Sequence, residues 1–230
     1  MQPLFLLPGT MCDERLWQPT LSVAENHFIP HFLTLHDGDS IDEIVQQIAT
    51  QLPKEPVNLL GFSLGGYLAS AFAIRYPEKV STLFIVSNIP CALPVEEVKE
   101  RSRTIHWIKK HGYRGIPKKR ILNLMASNAH DNTEVISLIA EMDKSLGGEV
   151  LMAQLRATTQ RVNLFEQLRA LPITKHFCVG REDTLVNLDD LQRLASTDEK
   201  MDLTIFEHTG HMLPLEQPKA FSRWLNNKVK

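Results

Sequence analysis

Short apolar runs that stop at glycine or proline recur along this chain and alternate with helix-like patterns, and that alternation restricts the fold more than any other feature. Residues 4–7 run into Pro8-Gly9, residues 57–60 into Gly61, and residues 82–86, 176–180 and 201–206 read the same way, with a weaker run at 29–35. Apolar runs this short fit parallel strands buried on both faces. Between them, Ser40 and Glu43 have the spacing of a capping box. It stands ahead of Ile41, Ile44, Val45, Ile48, Ala49 and Leu52, which share one helical face as far as Pro53. Residues 64–76, 188–195 and 218–226 predict three more helices. Strands alternating with helices predict an α/β fold, a mostly parallel sheet with helices on both faces.

Between Pro94 and Arg156 the alternation stops. Helix-like patterns over 95–111, 117–126, 133–146 and 149–159 follow one another, separated by turn signals at Gly112 and Gly115, at 127–132 and at Gly147-Gly148. The expected organisation is therefore a core made of 1–93 and 157–230, with a helical insertion over 94–156. A chain of 230 residues with 43% hydrophobic content suits one well-buried core. Lys and Arg number 25 against 27 Asp and Glu, a formal charge of −2, so the whole chain has no electrostatic attraction to nucleic acid or membrane. The first residues lack a basic segment and their apolar run is too short for a signal peptide or a spanning helix, which leads to the expectation of a cytoplasmic protein. Cys12, Cys91 and Cys178 are far apart, without CxxC or Cys/His spacing, and are expected to be reduced, buried thiols. No metal or organic cofactor is implied.

The stretch from Leu59 to Ala71 reads LLGFSLGGYLASA, with three glycines around one serine. Gly61-Phe62-Ser63-Leu64-Gly65 matches G-x-S-x-G, in which the serine sits on a strained turn from strand to helix. Small neighbours permit the turn, and the amides opening the helix face an anion forming above the hydroxyl. A serine hydroxyl is a weak nucleophile and needs a base, itself oriented by a carboxylate. Asp183 in CVGREDTLV and His211 in EHTGHMLPLEQP each follow a strand run, with Glu182 and His208 as neighbouring alternatives. The order Ser63, Asp183, His211 is that of a triad on an α/β fold, and all three fall just beyond strand ends, where open parallel sheets meet ligands.

With these residues in view, the chain resembles the α/β-hydrolase family over essentially its whole length. The matching motifs are LLPGT, GFSLGG, VGREDTLV and TGHMLPLEQP, with the helical insertion where the family often carries a cap. The last motif resembles the family's G-H-x-x-x-x-E-x-P ending and selects His211 over His208; the acid-loop motif selects Asp183 over Glu182. Pro8-Gly9 stands where members usually have His-Gly, and the first parallel strand begins by Leu4, so the resemblance implies a trimmed sheet of about six strands. It also implies an oxyanion hole made of the backbone N–H groups of Leu64 and Thr10.

The reaction expected from these parts is acyl transfer to water by a serine hydrolase of the carboxylesterase type. His211 takes the proton of Ser63, and Asp183 fixes its tautomer. Trp107, Met125, Ile139 and Met142 are candidates for lining an apolar acyl pocket. Serine at position 63 argues against dehalogenase and epoxide-hydrolase chemistry, for which the resemblance would require aspartate. Thioesterase, lactonase and carbon–carbon hydrolase activity on the same triad stay open, as does a receptor-like member that binds a small molecule with little turnover. From Lys99 to Arg120 there are nine basic residues against Glu100 alone, a local +8. Such a surface suits an anionic partner, an acidic acyl carrier protein or a coenzyme A ester. A small capped member with a basic cap is similar to carboxylesterases that act on the methyl ester of a carrier-bound acyl chain.

Overall fold

The computed structural model describes residues 1–23, 26–35 and 38–229. Six strands, β1 (Gln2–Leu7), β2 (Phe28–Phe32), β3 (Val57–Phe62), β4 (Val80–Val86), β5 (Thr174–Gly180) and β6 (Met201–Phe206), form one sheet in the order β2-β1-β3-β4-β5-β6. Every pairing is parallel. The helices are α1 (Gln18–Ser22), α2 (Ile41–Gln51), α3 (Leu64–Arg75), α4 (Val95–His111), α5 (Lys118–Asn123), α6 (Thr133–Thr159), α7 (Phe165–Ala170), α8 (Leu188–Ala195), α9 (Leu213–Glu216) and α10 (Pro218–Lys228). Alternate strand residues feed two cores. Phe5, Leu7, Leu59, Leu83, Ile85, Phe177 and Val179 pack with α2, α3, α7 and α8. Leu4, Leu6, Leu60, Phe62, Phe84, Val86 and Cys178 pack with Phe221, Trp224 and Leu225 of α10. Burial on both faces explains why the strands read as unbroken apolar runs.

One half of the capping box at α2 forms as its spacing predicts, Ser40 Oγ accepting from the Glu43 N–H at 3.2 Å, while Glu43 reaches back one residue further and accepts from the Asp39 N–H at 2.9 Å. Strand β2 is an edge strand containing Pro30 and ends at Phe32, earlier than the apolar pattern to Leu35. The patterns at 133–146 and 149–159 join into α6 across a break at Gly147, whose φ is 79° and ψ 175°. Among the described residues no strand lies between β4 and β5, where α4 to α7 follow one another.

Two features of the sheet position a site. The chain runs from β1 outward to β2 and returns to β3 on the other side of β1, so the loops leaving β1 and β3 diverge at a topological switch point. The strand ends are also level: Leu7 pairs with Gly61, Phe62 with Val86, Val86 with Cys178, and Gly180 with Phe206. Close backbone approaches hold this edge together. A Cβ on Gly61 would lie 2.1 Å from the Gly65 carbonyl oxygen, and one on Gly65 would lie 2.4 Å and 2.5 Å from the carbonyl oxygens of Pro8 and Leu7. The glycines of the serine motif therefore serve contact between backbones, while the left-handed conformation falls on Ser63 itself, at φ 51°. A Gly65→Ala substitution must push α3 away from the β1 loop. It is expected to lower unfolding free energy by about 1–3 kcal/mol, read from urea denaturation; an unchanged midpoint would contradict the contact.

Candidate active site

Four non-glycine residues with positive φ occur among the described residues, and all sit just past strand ends on the carboxyl edge: Met11 after β1, Ser63 after β3, Ser87 after β4 and His208 after β6. Strained residues persist where the surroundings hold them, and they cluster at functional sites. Ser63 is the clearest case. Its N–H continues the ladder by donating to the Val86 carbonyl at 2.9 Å, while its own carbonyl already accepts from the Gly66 N–H at 2.9 Å. The residue is thus strand on one side and helix cap on the other. It is half-buried in a run from Val57 to Ser70 whose other members are all buried, so its side chain stands out at the edge.

The loops after β5 and β6 bring two further side chains to Ser63. His211 Nε2 lies 2.9 Å from Ser63 Oγ, and His211 Nδ1 lies 2.9 Å and 3.0 Å from the two carboxylate oxygens of Asp183. His211 is 5% exposed and Asp183 9% exposed, so the pair is shielded from water. Asp183 Oδ1 also accepts from the Leu185 N–H at 2.8 Å, which fixes the carboxylate. The ring of Phe62 lies against His211 with centroids 5.3 Å apart. The alternatives fall elsewhere: Glu182 accepts from Ser127, and His208 lies on the positive-φ turn after β6.

The histidine loop is held from above. The Leu124 carbonyl accepts from the N–H groups of His211 at 2.8 Å and Met212 at 3.2 Å. Glu216 Oε2 accepts from Ala126 N–H at 2.7 Å and from Gly210 N–H at 3.0 Å, strapping the turn after α5 to the residue before His211. Glu182 Oε2 accepts from Ser127 N–H at 3.2 Å, and Thr184 Oγ1 donates to the Asn123 carbonyl at 3.1 Å, so the acid loop holds the same turn. Glu216 was visible in the sequence only as part of a motif, and the carbonyl of Leu124 carried no signal at all. Contacts of this kind join segments about 90 residues apart.

The β1 loop lies against the serine. A Cβ on Gly9 would be 3.2 Å from Ser63 Cβ, which brings Thr10 into the same neighbourhood. Among the described residues neither the Thr10 nor the Leu64 N–H donates to a protein acceptor. The nearby thiol is no competitor: burial first, then Asp13, push Cys12 up to about 12. Of the pocket candidates, Met125, Ile139 and Met142 are buried together with Phe62 and Met212, which flank the site. Trp107 stands apart from them, 62% exposed on α4 with its ring tilted against that of His111, centroids 3.9 Å apart.

The family model for the alpha/beta hydrolase fold matches residues 24–218. The chain belongs to the alpha/beta hydrolase fold family. It is similar to the pimeloyl-[acyl-carrier protein] methyl ester esterase of Nitrosomonas europaea, 26% identical over 95% of this chain and 92% of that protein. The protein of the same name from Aliivibrio fischeri is 34% identical over 38% of this chain and 37% of its own length. The 2-hydroxymuconate semialdehyde hydrolase of Pseudomonas putida is 27% identical over 74% of this chain and 61% of its own. The match thus spans less than two thirds of the Aliivibrio and Pseudomonas proteins. In structure the chain resembles a thermophilic esterase from Thermogutta terrifontis, with a TM-score of 0.85 and 20% identity over 99% of this chain and 89% of that one, a likeness of fold. No helix among the described residues is long and apolar enough to cross a membrane.

Glu216 also makes the strap sensitive to pH. Burial raises its carboxyl above the ordinary 4.5, against the lowering effect of backbone N–H groups. A carboxyl with a raised folded value favours the folded state when protonated, so its contribution is lost as pH rises from 4.5 through that value. Glu216→Gln keeps the acceptor oxygen and removes the titration. Urea midpoints measured from pH 4 to pH 7 should therefore fall less with pH in the variant than in wild type, and parallel curves would contradict the assignment.

Proposed function

We propose that this α/β hydrolase is a serine hydrolase cleaving a carboxylic ester through an acyl-enzyme. The observation that carries the reading is the continuous chain from Ser63 Oγ through His211 to Asp183, with both links at 2.9 Å. His211 accepts the Ser63 proton as the hydroxyl oxygen attacks the acyl carbon, and then delivers it to the leaving alcohol. Asp183 holds Nδ1–H and stabilises the imidazolium. The oxyanion lies between the N–H groups of Leu64 and Thr10, which have no protein acceptor to give up. Water, deprotonated by His211, attacks the acyl-enzyme and releases the acid. In this reading 94–156 is the cap and 1–93 with 157–230 the catalytic core, and the site of action is cytoplasmic.

The substrate class we favour is a small acyl or methyl ester on an acidic carrier. Supporting it, the relatives from Nitrosomonas and Aliivibrio carry a name specifying a carrier-protein methyl ester. The insertion also presents the charge such a partner needs. Lys99, Arg101 and Arg103 are paired with Glu96, Glu97 and Glu100. The exposed Lys109, Lys110, Arg114, Lys118, Lys119 and Arg120 have no carboxylate partner among the described residues. The partner is an acyl carrier protein or a coenzyme A ester. Carbon–carbon hydrolysis on the same triad is the second reading, and the Pseudomonas relative is named for hydrolysis of a semialdehyde rather than an ester.

Hydrolysis of p-nitrophenyl esters of increasing acyl length is expected for wild type, with Ser63→Ala slower by about 10⁴–10⁶-fold. Equal rates in the two folded proteins would remove Ser63 as nucleophile. A carrier-bound methyl ester should be preferred to the free ester at low salt and lose that preference as salt rises; a salt-independent ratio would remove the docking surface.

A further inference from the structure

We infer that Gln154, in the second half of α6, is a positioning residue for the oxyanion-binding loop, its side chain fixing the turn at residues 9–12 that presents the Thr10 N–H beside Ser63. This rests on the serine-hydrolase reading. Gln154 Oε1 accepts from the Met11 N–H at 3.1 Å across 143 residues of sequence. Both residues are buried, at 8% and 7% exposure. Among the described residues no main-chain carbonyl accepts from that amide.

The turn needs holding. Cys12 N–H donates to the Gly9 carbonyl at 3.2 Å, closing four residues, and Met11 at the third position has φ 55°. That geometry suits glycine or asparagine, and a methionine adopts it only under restraint. Rotating the peptide between Thr10 and Met11 would relieve the strain, but would swing the Met11 N–H away from Gln154 and point the Thr10 carbonyl in its place. A buried N–H without acceptor costs about 1–3 kcal/mol, so Gln154 holds the Thr10–Met11 peptide in place, and the Thr10 N–H, on the preceding peptide, keeps its direction through the Thr10 dihedrals that end on it. It also settles the division of donors in the loop. Met11 is committed to Gln154 and Cys12 to Gly9, which leaves Thr10 for the substrate oxygen.

On its inner side Gln154 lines a small cavity together with Leu64 and Leu68 of α3, the helix that supplies the Leu64 N–H. On its outer side it lines a cleft of about 540 Å³ with Leu33, Leu35, Leu146 and Val150. The side chain therefore joins α6 to the loop after β1.

The test compares wild type with Gln154→Met, which keeps volume and removes the acceptor. A misplaced catalytic donor costs up to about 10²-fold, so kcat on a p-nitrophenyl ester should fall about 10- to 100-fold with KM within about threefold. Affinity for a short alkylboronic acid, whose boron bonds Ser63 Oγ as the proton passes to His211, should fall in step with kcat/KM. In ¹⁵N-labelled wild type, the boronic acid should move the Thr10 amide proton downfield and leave that of Met11 in place. A wild type that turns over, with a folded Gln154→Met matching it in kcat and boronate affinity, overturns the inference and leaves the hydrolase reading intact. So does a shift that falls on Met11. A wild type that neither hydrolyses esters nor binds the boronic acid overturns both.

Discussion

A serine held at φ 51° costs about 1–3 kcal/mol relative to an ordinary backbone, and the structure at the carboxyl edge of the sheet is arranged around keeping it there. Its N–H is fixed by β4 and its carbonyl by the first turn of α3. The helix is held close to β1 and β3 because Gly61 and Gly65 allow backbone atoms to approach where a methyl group would collide. Strain at one residue is thereby offset by contacts from three strands and a helix. The outcome is a hydroxyl that projects from the end of a fully buried strand without being enclosed by it.

The remaining groups reach Ser63 from loops that would be independent if they were only surface connections. They are not independent. Gly180 ends β5 against the histidine loop, where a Cβ would lie 2.2 Å from the Thr209 carbonyl oxygen, and the Glu182 N–H donates to that same carbonyl at 2.9 Å. Glu216 and Leu124 then join the histidine loop to the turn after α5. The segment between β4 and β5 thus contributes to the geometry of the site, and residues 123–127 are joined to the histidine loop by hydrogen bonds as well as by the packing of Met125 with Met212.

Sequence patterns revealed the elements whose signal is local. The five strong apolar runs, the α2 cap and the breaks at Gly112 and Gly147 all depend on neighbouring residues: the runs became strands, Gly112 ends α4, and Gly147 marks a kink inside α6. Ser63, Asp183 and His211 were legible because each follows a strand run and the motifs have fixed internal spacing. Short helices such as α1, α7 and α9, of four to six residues, escaped because a single turn has no detectable period. Met125, Ile139 and Met142 share a core beside the site, whereas Trp107 on the same apolar reasoning lies outside, since helical spacing alone does not say which face meets a neighbour. Gln154 and the straps at Glu216 and Leu124 join distant parts of the chain, and no local pattern encodes a contact made only in the folded state.

The most direct measurement is covalent capture of the nucleophile. The protein would be treated with an alkyl fluorophosphonate, digested, and the modified peptide sequenced by mass spectrometry. A serine activated by His211 and Asp183 attacks phosphorus and expels fluoride, so a single adduct at Ser63 is expected, absent from His211→Ala. An unmodified folded protein, or an adduct on another residue, would contradict the assignment of Ser63 as the activated nucleophile.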